Sequence, residues 1–375
     1  MSWSDKSLDE LGTVSRGRSR HRPRDAAHLY GGPYPFVQTA DVKRAGLYLS
    51  EYSKTYSDEG LAQSKLWPTG TLCITIAANI ADTSILAIDA CFPDSVIGFI
   101  PDPEKSDARF IKYLFDAVLK LQYRQVSQGA AQDNLSQGKL LALKFSVPDD
   151  VNEQIRIADF IASYDDLIEN NRRRIQLLEE SARLLYQEWF VYLRFPGHEQ
   201  AKIIDGVPEG WEKKTLKQIA TLNYGKALKA DVRIPGPYPV YGSSGDVGSH
   251  EKALVDGPGI VIGRKGNIGS VFWVNTDFFP IDTVYFITQE QSSLFLYHAL
   301  KNVQFINTDV AVPGLNRDMA YSREILVPDE INYQNFIREV QPIQEQINKL
   351  QDYSDKLAKA RDLLLPKLMS GELAV

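Results

Sequence analysis

Residues 149–192, DDVNEQIRIADFIASYDDLIENNRRRIQLLEESARLLYQEWFVY, decide the fold of this chain. Mostly apolar positions recur in it at alternating steps of three and four, the spacing that keeps side chains on one side of a supercoiled helix. These positions, called the seam below, are Ile161, Tyr164, Ile168, Asn171, Ile175, Leu178, Ala182, Leu185, Trp189 and Tyr192. The pattern predicts a long helix over residues 149–195 that needs a partner helix.

A second stretch with the same spacing lies near the C-terminus, 179 residues further along the chain. Its seam positions are Phe336, Val340, Ile343, Ile347, Leu350, Ser354, Leu357, Arg361, Leu364 and Leu368. We expect residues 329–375 to form a long helix that pairs with the first as an antiparallel coiled coil. A helix of some 40 residues is about 60 Å long, so the pair would form a spacer. Two ordinary long helices in a helical domain are the simpler alternative.

Length and composition indicate a folded chain of two to three domains, with 375 residues of which 43% are hydrophobic. The first ten residues lack the charged-then-apolar pattern of a signal peptide, and no run of 18 apolar residues occurs. We therefore expect a cytoplasmic protein without a membrane partner. Cys73 and Cys91 form no CxxC pair and are predicted to be buried thiols.

The net charge of −6 is unevenly distributed along the chain. Residues 149–190 hold 10 acids and 5 bases, and residues 329–375 hold 8 and 6, which leaves +1 for the remainder. Within that remainder two basic clusters occur. They are Arg16, Arg18, Arg20, Arg22 and Arg24, and Lys213, Lys214, Lys217, Lys226, Lys229 and Arg233. Local positive fields attract phosphates whatever the net charge, although either cluster alone could be a solvated surface.

The chain also contains an internal duplication. The sequence GPYP at residues 32–35 recurs at 236–239, and VPD at 147–149 recurs at 327–329. Near the start of each copy, Trp3 and Gly17 correspond to Trp211 and Gly225, 208 positions later. Because the separation falls to 180 by the end of the unit, the second copy is shorter. Each half is therefore predicted to be a globular unit, residues 1–148 or 211–328, followed by a long helix.

Within the globular units, short apolar runs bounded by Gly and Pro predict strands at 71–77, 259–263, 271–274 and 283–287. Helical spacing predicts short helices at 107–120 and 292–302, so the units should be mixed α/β. Polar, Gly-rich loops are expected at 241–248 and 263–269. The first long helix should end at 195–197, residues 196–210 should form a linker, and Pro366 should kink or end the second helix.

The sequence contains no recognisable catalytic motif. No glycine-rich phosphate-loop sequence occurs, the glycines of both loops follow G-x-x-G-x-x-G, and the five histidines have no metal-binding spacing. We therefore expect a chain without a cofactor or metal that performs no chemistry itself. The alternatives are the recognition domain of a single-chain nuclease or methylation enzyme, and a structural coiled-coil adaptor.

Two longer segments carry a family resemblance. WFVYLRFPGH at 189–198 and RDLLLPKLMSGEL at 361–373 resemble the helical-region sequences of specificity (S) subunits of type I restriction-modification enzymes. The resemblance covers the whole chain and implies an α+β fold, with two target-recognition domains that are each followed by a long helix of the coiled coil. It also implies that each domain recognises one half of a bipartite site in double-stranded DNA. The helices would dock two methyltransferase (M) subunits, to which restriction-translocase (R) subunits add.

The family offers no motif for the residues that contact DNA, so charge and loop position alone select the candidates. Arg and Lys can contact phosphates or guanine, and Asn and Gln can pair with adenine in the major groove. The candidates in the first unit are Arg16, Arg18, Arg20, Arg22, Asn79, Gln128 and Asn134. Those in the second unit are Lys226, Lys229, Ser243, Ser244, Arg264, Lys265, Asn267, Asn316 and Arg317. We expect the basic clusters to contact phosphates and the loop residues to contact bases.

Overall fold

The computed structural model describes residues 2–77, 80–119, 135–305 and 314–375. It contains two compact units. Unit 1 consists of Met1–Asn171 and Tyr353–Val375, and unit 2 consists of Arg172–Asp352. Each long helix therefore contributes one segment to each unit.

The described helices include short ones in the globular parts and the two long ones. In chain order they are α1 (Leu8–Leu11), α2 (Thr39–Arg44), α3 (Asp58–Ala62), α4 (Ala108–Leu114), α5 (Gln137–Ala142), α6 (Val151–Tyr186), α7 (Leu216–Ile219), α8 (Leu294–Asn302), α9 (Arg317–Tyr321) and α10 (Glu330–Met369). A π-helical turn follows α4 at Phe115–Leu119, and another follows α6 at Gln187–Val191. The two predicted long helices are thus confirmed.

The strands are short, as the sequence predicted. Unit 1 contains β1 (Trp3–Lys6), β2 (Gly12–Arg16), β3 (Tyr30–Phe36), β4 (Tyr48–Leu49), β5 (Lys54–Tyr56), β6 (Leu66–Trp67), β7 (Leu72–Thr75), β8 (Thr83–Leu86), β9 (Ala90–Cys91), β10 (Val96–Pro101) and β11 (Phe145–Pro148). Unit 2 contains β12 (Ile203–Ile204), β13 (Val207–Pro208), β14 (Glu212–Thr215), β15 (Asn223–Tyr224), β16 (Tyr238–Gly242), β17 (Gly245–His250), β18 (Gly259–Gly263), β19 (Val271–Val274), β20 (Phe279–Pro280), β21 (Val284–Ile287) and β22 (Glu324–Val327).

The sheets of the two units share a common strand order, to which unit 1 adds the edge strands β4 and β6. In unit 1 the main sheet runs β2-β10-β7-β8-β4, and in unit 2 it runs β15-β21-β18-β19. A second sheet contains a parallel pair in both units, β3 with β9 and β16 with β20. The first and last strands of each globular part pair antiparallel, β1 with β11 and β14 with β22. The duplication seen in the sequence is therefore also present in the fold of each unit.

Local capping repeats in the same way. Ser7 and Glu10 form a capping box at the start of α1, and Thr215 and Gln218 form one 208 residues later at the start of α7. In a capping box two otherwise unpaired backbone N–H groups at the helix start are satisfied by side chains. Because helices this short gain little from propensity, these caps help to fix them where the chain leaves its first strand.

The core of unit 1 lies between the main sheet and the helices. Leu72 and Ile74 of β7 are fully buried in the same cluster as Phe110 and Ile111 of α4. Burial of one large apolar side chain contributes about 1.5–3 kcal/mol, so this layer dominates the stability of the unit. Asp107 begins α4 by accepting hydrogen bonds from two backbone N–H groups of its first turn.

Within unit 1 the two long-helix segments join this core. Ile157 and Ile161 of α6 and Leu368 of α10 belong to the same buried cluster as the main sheet. Asp165 of α6 accepts a charged hydrogen bond from Arg361 of α10. Arg361 interrupts the apolar seam, and this ion pair is the reason that a charged residue is accommodated there.

Within unit 2 the helix segments pair through aromatic and aliphatic side chains. The ring centroids of Tyr186 on α6 and Phe336 on α10 lie 6.0 Å apart. Leu178 and Ile343 line one cavity further along the same two helices. Since the residue numbers rise along α6 while they fall along α10, the pairing is antiparallel, as predicted. The seam residues Ile168, Ile175, Leu185, Leu357 and Leu364 are half-buried, and Ile347 and Leu350 are buried.

Three local expectations were wrong. Residues 241–248 do not form a loop but the hairpin of β16 and β17, with only Ser243 and Ser244 between the strands. The first long helix ends at Val191, after its π-helical turn, and Tyr192 is 56% exposed, so Trp189 is the last buried position of the seam. Helix α10 continues through Pro366 and ends at Met369, so the proline does not end the helix, although it removes one backbone hydrogen bond there.

Candidate nucleic-acid interface

The arginine run of unit 1 lies at the end of β2 and in the segment that follows. The exposed Arg16 donates from Nε and Nη2 to the backbone carbonyl of Asp94, at 2.9 and 2.7 Å. Arg24 forms an ion pair of 2.9 Å with the carboxylate of the same Asp94. Asp94 therefore anchors two members of the run, one through its backbone and one through its side chain.

The remaining arginines of the run differ in what they contact. Arg18 is half-buried, and its guanidinium donates to the backbone carbonyl of Ser64, with Nε at 2.7 Å. Arg22 donates from Nη1 to the carbonyl of Ser19 at 2.9 Å. Arg20 is exposed, and within the described part of the chain its guanidinium has no hydrogen-bond or ion-pair partner. Arg20 is therefore the arginine of this run that is most available to an anion.

The other three candidates of the first unit, Asn79, Gln128 and Asn134, lie outside the described residues. Gln137, which begins α5, donates from its side-chain amide to the carbonyl of Val14 at 3.4 Å. Ser136 caps the start of α5, because its hydroxyl accepts from the Lys139 N–H at 3.2 Å.

In unit 2 the fold brings candidates from distant parts of the sequence together around one tyrosine. The guanidinium carbons of Arg264 and Arg317 lie 5.0 and 5.1 Å from the ring centroid of Tyr224. Arg264 also donates from Nη1 to the carbonyl of Asp282 at 2.9 Å. Guanidinium groups over aromatic faces are attracted by the ring quadrupole. The surface around Tyr224 thus holds two cations at the edge of the main sheet of unit 2.

A second, buried tyrosine packs against Tyr224, with the ring centroids 5.1 Å apart. Tyr285 is buried and donates its hydroxyl to the carbonyl of Leu315 at 2.9 Å. Burial, followed by the neighbouring Tyr224 hydroxyl, raises the pKa of Tyr285 to about 12. The Arg264 carbonyl in turn accepts from Leu315 N–H at 2.8 Å. This bond ties the segment before α9 to the loop after β18.

Two neighbours of these arginines have different local environments. Lys265 is exposed and forms an isolated bridge with Gly314. Asn316 caps α9, because its side-chain oxygen accepts from the Asp318 N–H at 2.8 Å. Its amide therefore has a structural role in addition to any contact with DNA.

The other candidates of unit 2 lie in and near the hairpin. Lys226, Lys229, Ser244 and Asn267 are exposed. Ser243 is only 8% exposed, and its carbonyl accepts from the Ser270 hydroxyl at 2.7 Å. Direct contact of the Ser243 side chain with a partner would require the hairpin turn to move.

Sequence reasoning missed Tyr224, which is 48% exposed at the centre of the unit 2 surface. The available signal was its position directly before Gly225 and Lys226. Gly225 is required there, because a Cβ atom would meet the carbonyl oxygen of Ile281 at 2.0 Å. The close approach of the Gly225 backbone to that of Ile281 restricts the position of Tyr224, the residue before it.

The two cysteines are buried, and the described residues contain no candidate metal site. Cys73 and Cys91 are free and buried, and burial raises the pKa of the Cys73 thiol well above its usual range. Among the described residues no cluster of His, Cys, Asp and Glu could hold a metal ion. In the same residues, no helix is long and apolar enough to span a membrane.

Known proteins resemble this chain over most of its length. The chain is 24% identical over 409 residues to the type I restriction enzyme MjaIX specificity subunit of Methanocaldococcus jannaschii, with 100% of this chain and 94% of that protein covered. The crystal structure of a type I restriction-modification system S subunit from M. genitalium superposes with a TM-score of 0.58 at 18% identity, covering 98% of this chain and 96% of that one. This likeness establishes the fold. The family model described as "Type I restriction modification DNA specificity domain" matches residues 1–180 and 208–357, and the chain therefore belongs to that family.

Proposed function

We propose that this chain is the specificity subunit of a type I restriction-modification complex and recognises a bipartite sequence in double-stranded DNA. The observation that carries the proposal is the duplication. Two units that share a common strand order each present basic residues at the end of an equivalent strand, β2 or β15. The similar M. jannaschii protein is named as a specificity subunit.

In this function the chain supplies recognition and other subunits supply catalysis. Membership of a family of DNA specificity domains confirms that role for the chain. We propose that the helix pair docks two methyltransferase (M) subunits, with restriction-translocase (R) subunits added to them. Exposed apolar side chains such as Leu177 and Leu363, 71% and 73% exposed, support a protein partner on the long helices. We propose that the complex binds its DNA target in the cytoplasm.

The proposed division into recognition domains keeps the boundaries predicted from the sequence. Residues 1–148 and 211–328 are the two domains, 149–195 and 329–375 are the helices, and 196–210 is the linker. Each domain starts and ends in a paired strand, β1 with β11 or β14 with β22, so its chain ends are adjacent. A module whose ends are adjacent can be exchanged without rebuilding the rest of the chain.

The direct test is to co-express the chain with its methyltransferase subunits and map methylated adenines or cytosines across the host genome. We expect one motif with two defined halves and an unspecified gap. Exchange of residues 211–328 for the matching domain of a relative should change one half and leave the other unchanged. A change in both halves, or a motif without a gap, would contradict the modular function.

A further inference from the structure

Equivalent positions in the two units can be assigned from their hydrogen bonds. The Ile76 N–H donates to the carbonyl of Ser95 at 3.0 Å, and the Arg264 N–H donates to the carbonyl of Thr283 at 2.9 Å. Arg264 lies 188 positions after Ile76, and Thr283 lies 188 positions after Ser95. Ile76 and Arg264 therefore occupy the same place at the end of β7 and β18.

Strand pairing fixes a second equivalence. Arg16 lies opposite Ile97 in the β2–β10 ladder, and Tyr224 lies opposite Tyr285 in the β15–β21 ladder. Since Ile97 and Tyr285 are also 188 positions apart, Arg16 and Tyr224 are equivalent. The arginine of one unit thus corresponds to a tyrosine in the other.

The two units nevertheless hold a guanidinium at the same point. The backbone carbonyl of Asp94 accepts from Arg16, and the carbonyl of Asp282, 188 positions later, accepts from Arg264. The arginine comes from β2 in unit 1 and from the loop after β18 in unit 2. A guanidinium therefore contacts the equivalent backbone carbonyl in both units, although it comes from non-equivalent positions in the two folds.

The hydrogen-bonding capacity of these guanidiniums is only partly used. A guanidinium carries five N–H donors, of which Arg16 uses two on Asp94 and Arg264 uses one on Asp282. Within the described residues neither group forms an ion pair with a carboxylate. By contrast, Arg109 and Arg361 are each paired with a carboxylate. Anchored cations with free donors are suited to an external acceptor.

We propose that Arg16 and Arg264 are functional counterparts, each of which contacts the acceptor edge of a guanine in the half-site recognised by its own unit. The inference rests on the proposed DNA-recognition function. Arginine is the preferred partner of guanine O6 and N7, because its planar N–H groups match the two acceptors. Discrimination requires a fixed geometry, and one backbone carbonyl fixes each guanidinium.

In unit 2 the aromatic ring of Tyr224 acts as a positioning group. It lies 5.0 Å from the Arg264 guanidinium, and Tyr285 lies 5.7 Å from it. Arg317 approaches the same Tyr224 ring but has no backbone acceptor among the described residues. We therefore assign base contact to Arg264 and a less specific, phosphate-type contact to Arg317.

The test maps methylation motifs for the complete complex carrying Arg16→Ala or Arg264→Ala. Arg16→Ala should relax one position in one half of the motif, and Arg264→Ala should relax one position in the other half. The loss of discrimination at that position should be roughly tenfold or more. Arg16→Gln and Arg264→Gln provide a second pair, in which the relaxed position should shift from guanine towards adenine. Lys105→Ala and Lys252→Ala remove exposed cations of each unit and should leave both halves unchanged.

The possible results separate this inference from the function on which it rests. Absence of a bipartite motif with the unaltered chain would refute the proposed function. A bipartite motif that all four arginine variants leave unchanged would refute the inference alone, whether or not their melting temperature falls. An equal loss of binding on all sequences, with a weaker salt dependence, would identify phosphate contacts and also overturn it.

Discussion

Arg18 and Arg20 are two residues apart in the sequence but have different physical environments. The Arg18 guanidinium fills a structural position on the Ser64 carbonyl, whereas Arg20 is exposed without a partner among the described residues. A surface guanidinium costs little to leave in water and gains from an adjacent phosphate. Of this pair, we therefore expect Arg20 to act on DNA and Arg18 to act on the loop that holds the run.

Arg20→Ala should weaken DNA binding by the complex on specific and non-specific sequences alike. Each lost phosphate contact should reduce the slope of log K against log salt by about 0.9. Binding titrations between low and moderate salt measure this slope. Arg18→Ala is the matched comparison, and it should lower the unfolding midpoint of the chain, since the Ser64 carbonyl loses a charged donor. An unaltered slope for Arg20→Ala would remove Arg20 from the interface.

His298 is a buried imidazole, and both of its ring nitrogens lack a partner within the described part of the chain. It lies among the rings of Tyr186 of α6, Tyr297 of α8 and Phe336 of α10. Burial, and to a lesser degree Lys301, lowers the pKa of His298 to about 4. The folded unit therefore holds this imidazole in its neutral form.

This lowered pKa predicts a pH-dependent stability. Between pH 6.5 and 4 the unfolded chain binds a proton at His298 that the folded chain does not bind. The contribution of the neutral His298 to the free energy of unfolding is therefore fully present above about pH 6.5. It decreases by on the order of 3 kcal/mol as the pH falls towards 4. Urea unfolding of the full chain at several pH values should show a shallower decrease for His298→Leu. His28→Leu, at an exposed histidine, should retain the original dependence, and parallel curves for all three proteins would contradict the assignment.

At the scale of elements, one carboxylate joins both long helices of unit 1 to the globular part. Asp165 on α6 accepts from the Tyr113 hydroxyl of α4 at 2.7 Å and from Arg361 of α10. Its side chain is 15% exposed. Burial and then Asp165 raise the pKa of Tyr113 well above the normal tyrosine range, so the hydroxyl remains a donor. Three helices therefore share one acceptor.

Replacement of this carboxylate should destabilise the unit. Asp165→Ala leaves the Tyr113 hydroxyl and the Arg361 guanidinium without their common acceptor, at a cost of roughly 2 kcal/mol. Asp362→Ala is the control, because Asp362 also contacts Arg361 but is 63% exposed, and exposed ion pairs contribute about 0–1 kcal/mol. Denaturant titrations of both variants provide the comparison. Equal midpoints would show that Asp165 is not the fastening point.

The long helices were predictable because an apolar seam of period 3.5 over many turns has few other physical solutions. The hairpin of residues 241–248 was not, since β17 (GDVGSH) is mostly polar and lacks an alternating apolar pattern. The cluster around Tyr224 was beyond prediction for another reason. Strand β15 has only two residues, and Arg264 and Arg317 reach its tyrosine through sheet pairing between distant segments. The basic residues could be selected by type, but not by which carbonyl or ring each one contacts.

At the scale of the whole molecule, each globular part is attached to its own segments of the same two helices. Ile161 and Leu368 belong to the core of unit 1, and Tyr186 and Phe336 belong to the core of unit 2. Helix α6 has 36 residues and α10 has 40, so they rise about 54 and 60 Å. We propose that the helix segments between these anchoring points set the distance between the two half-sites on DNA.

Insertion of one heptad into both helices should lengthen the gap in the methylated motif. Seven residues placed between Ile168 and Ile175, and seven between Ile347 and Ser354, preserve the phase of the seam and add about 10.5 Å. At about 3.4 Å per base pair this adds about three base pairs to the gap, while both half-sites retain their sequence. Methylation mapping measures the gap directly. The same seven residues inserted between Asp205 and Gly206, in the turn of the β12–β13 hairpin, should leave it unchanged. A folded, active complex with the double helix insertion and an unaltered gap would mean that the helices do not determine the spacing.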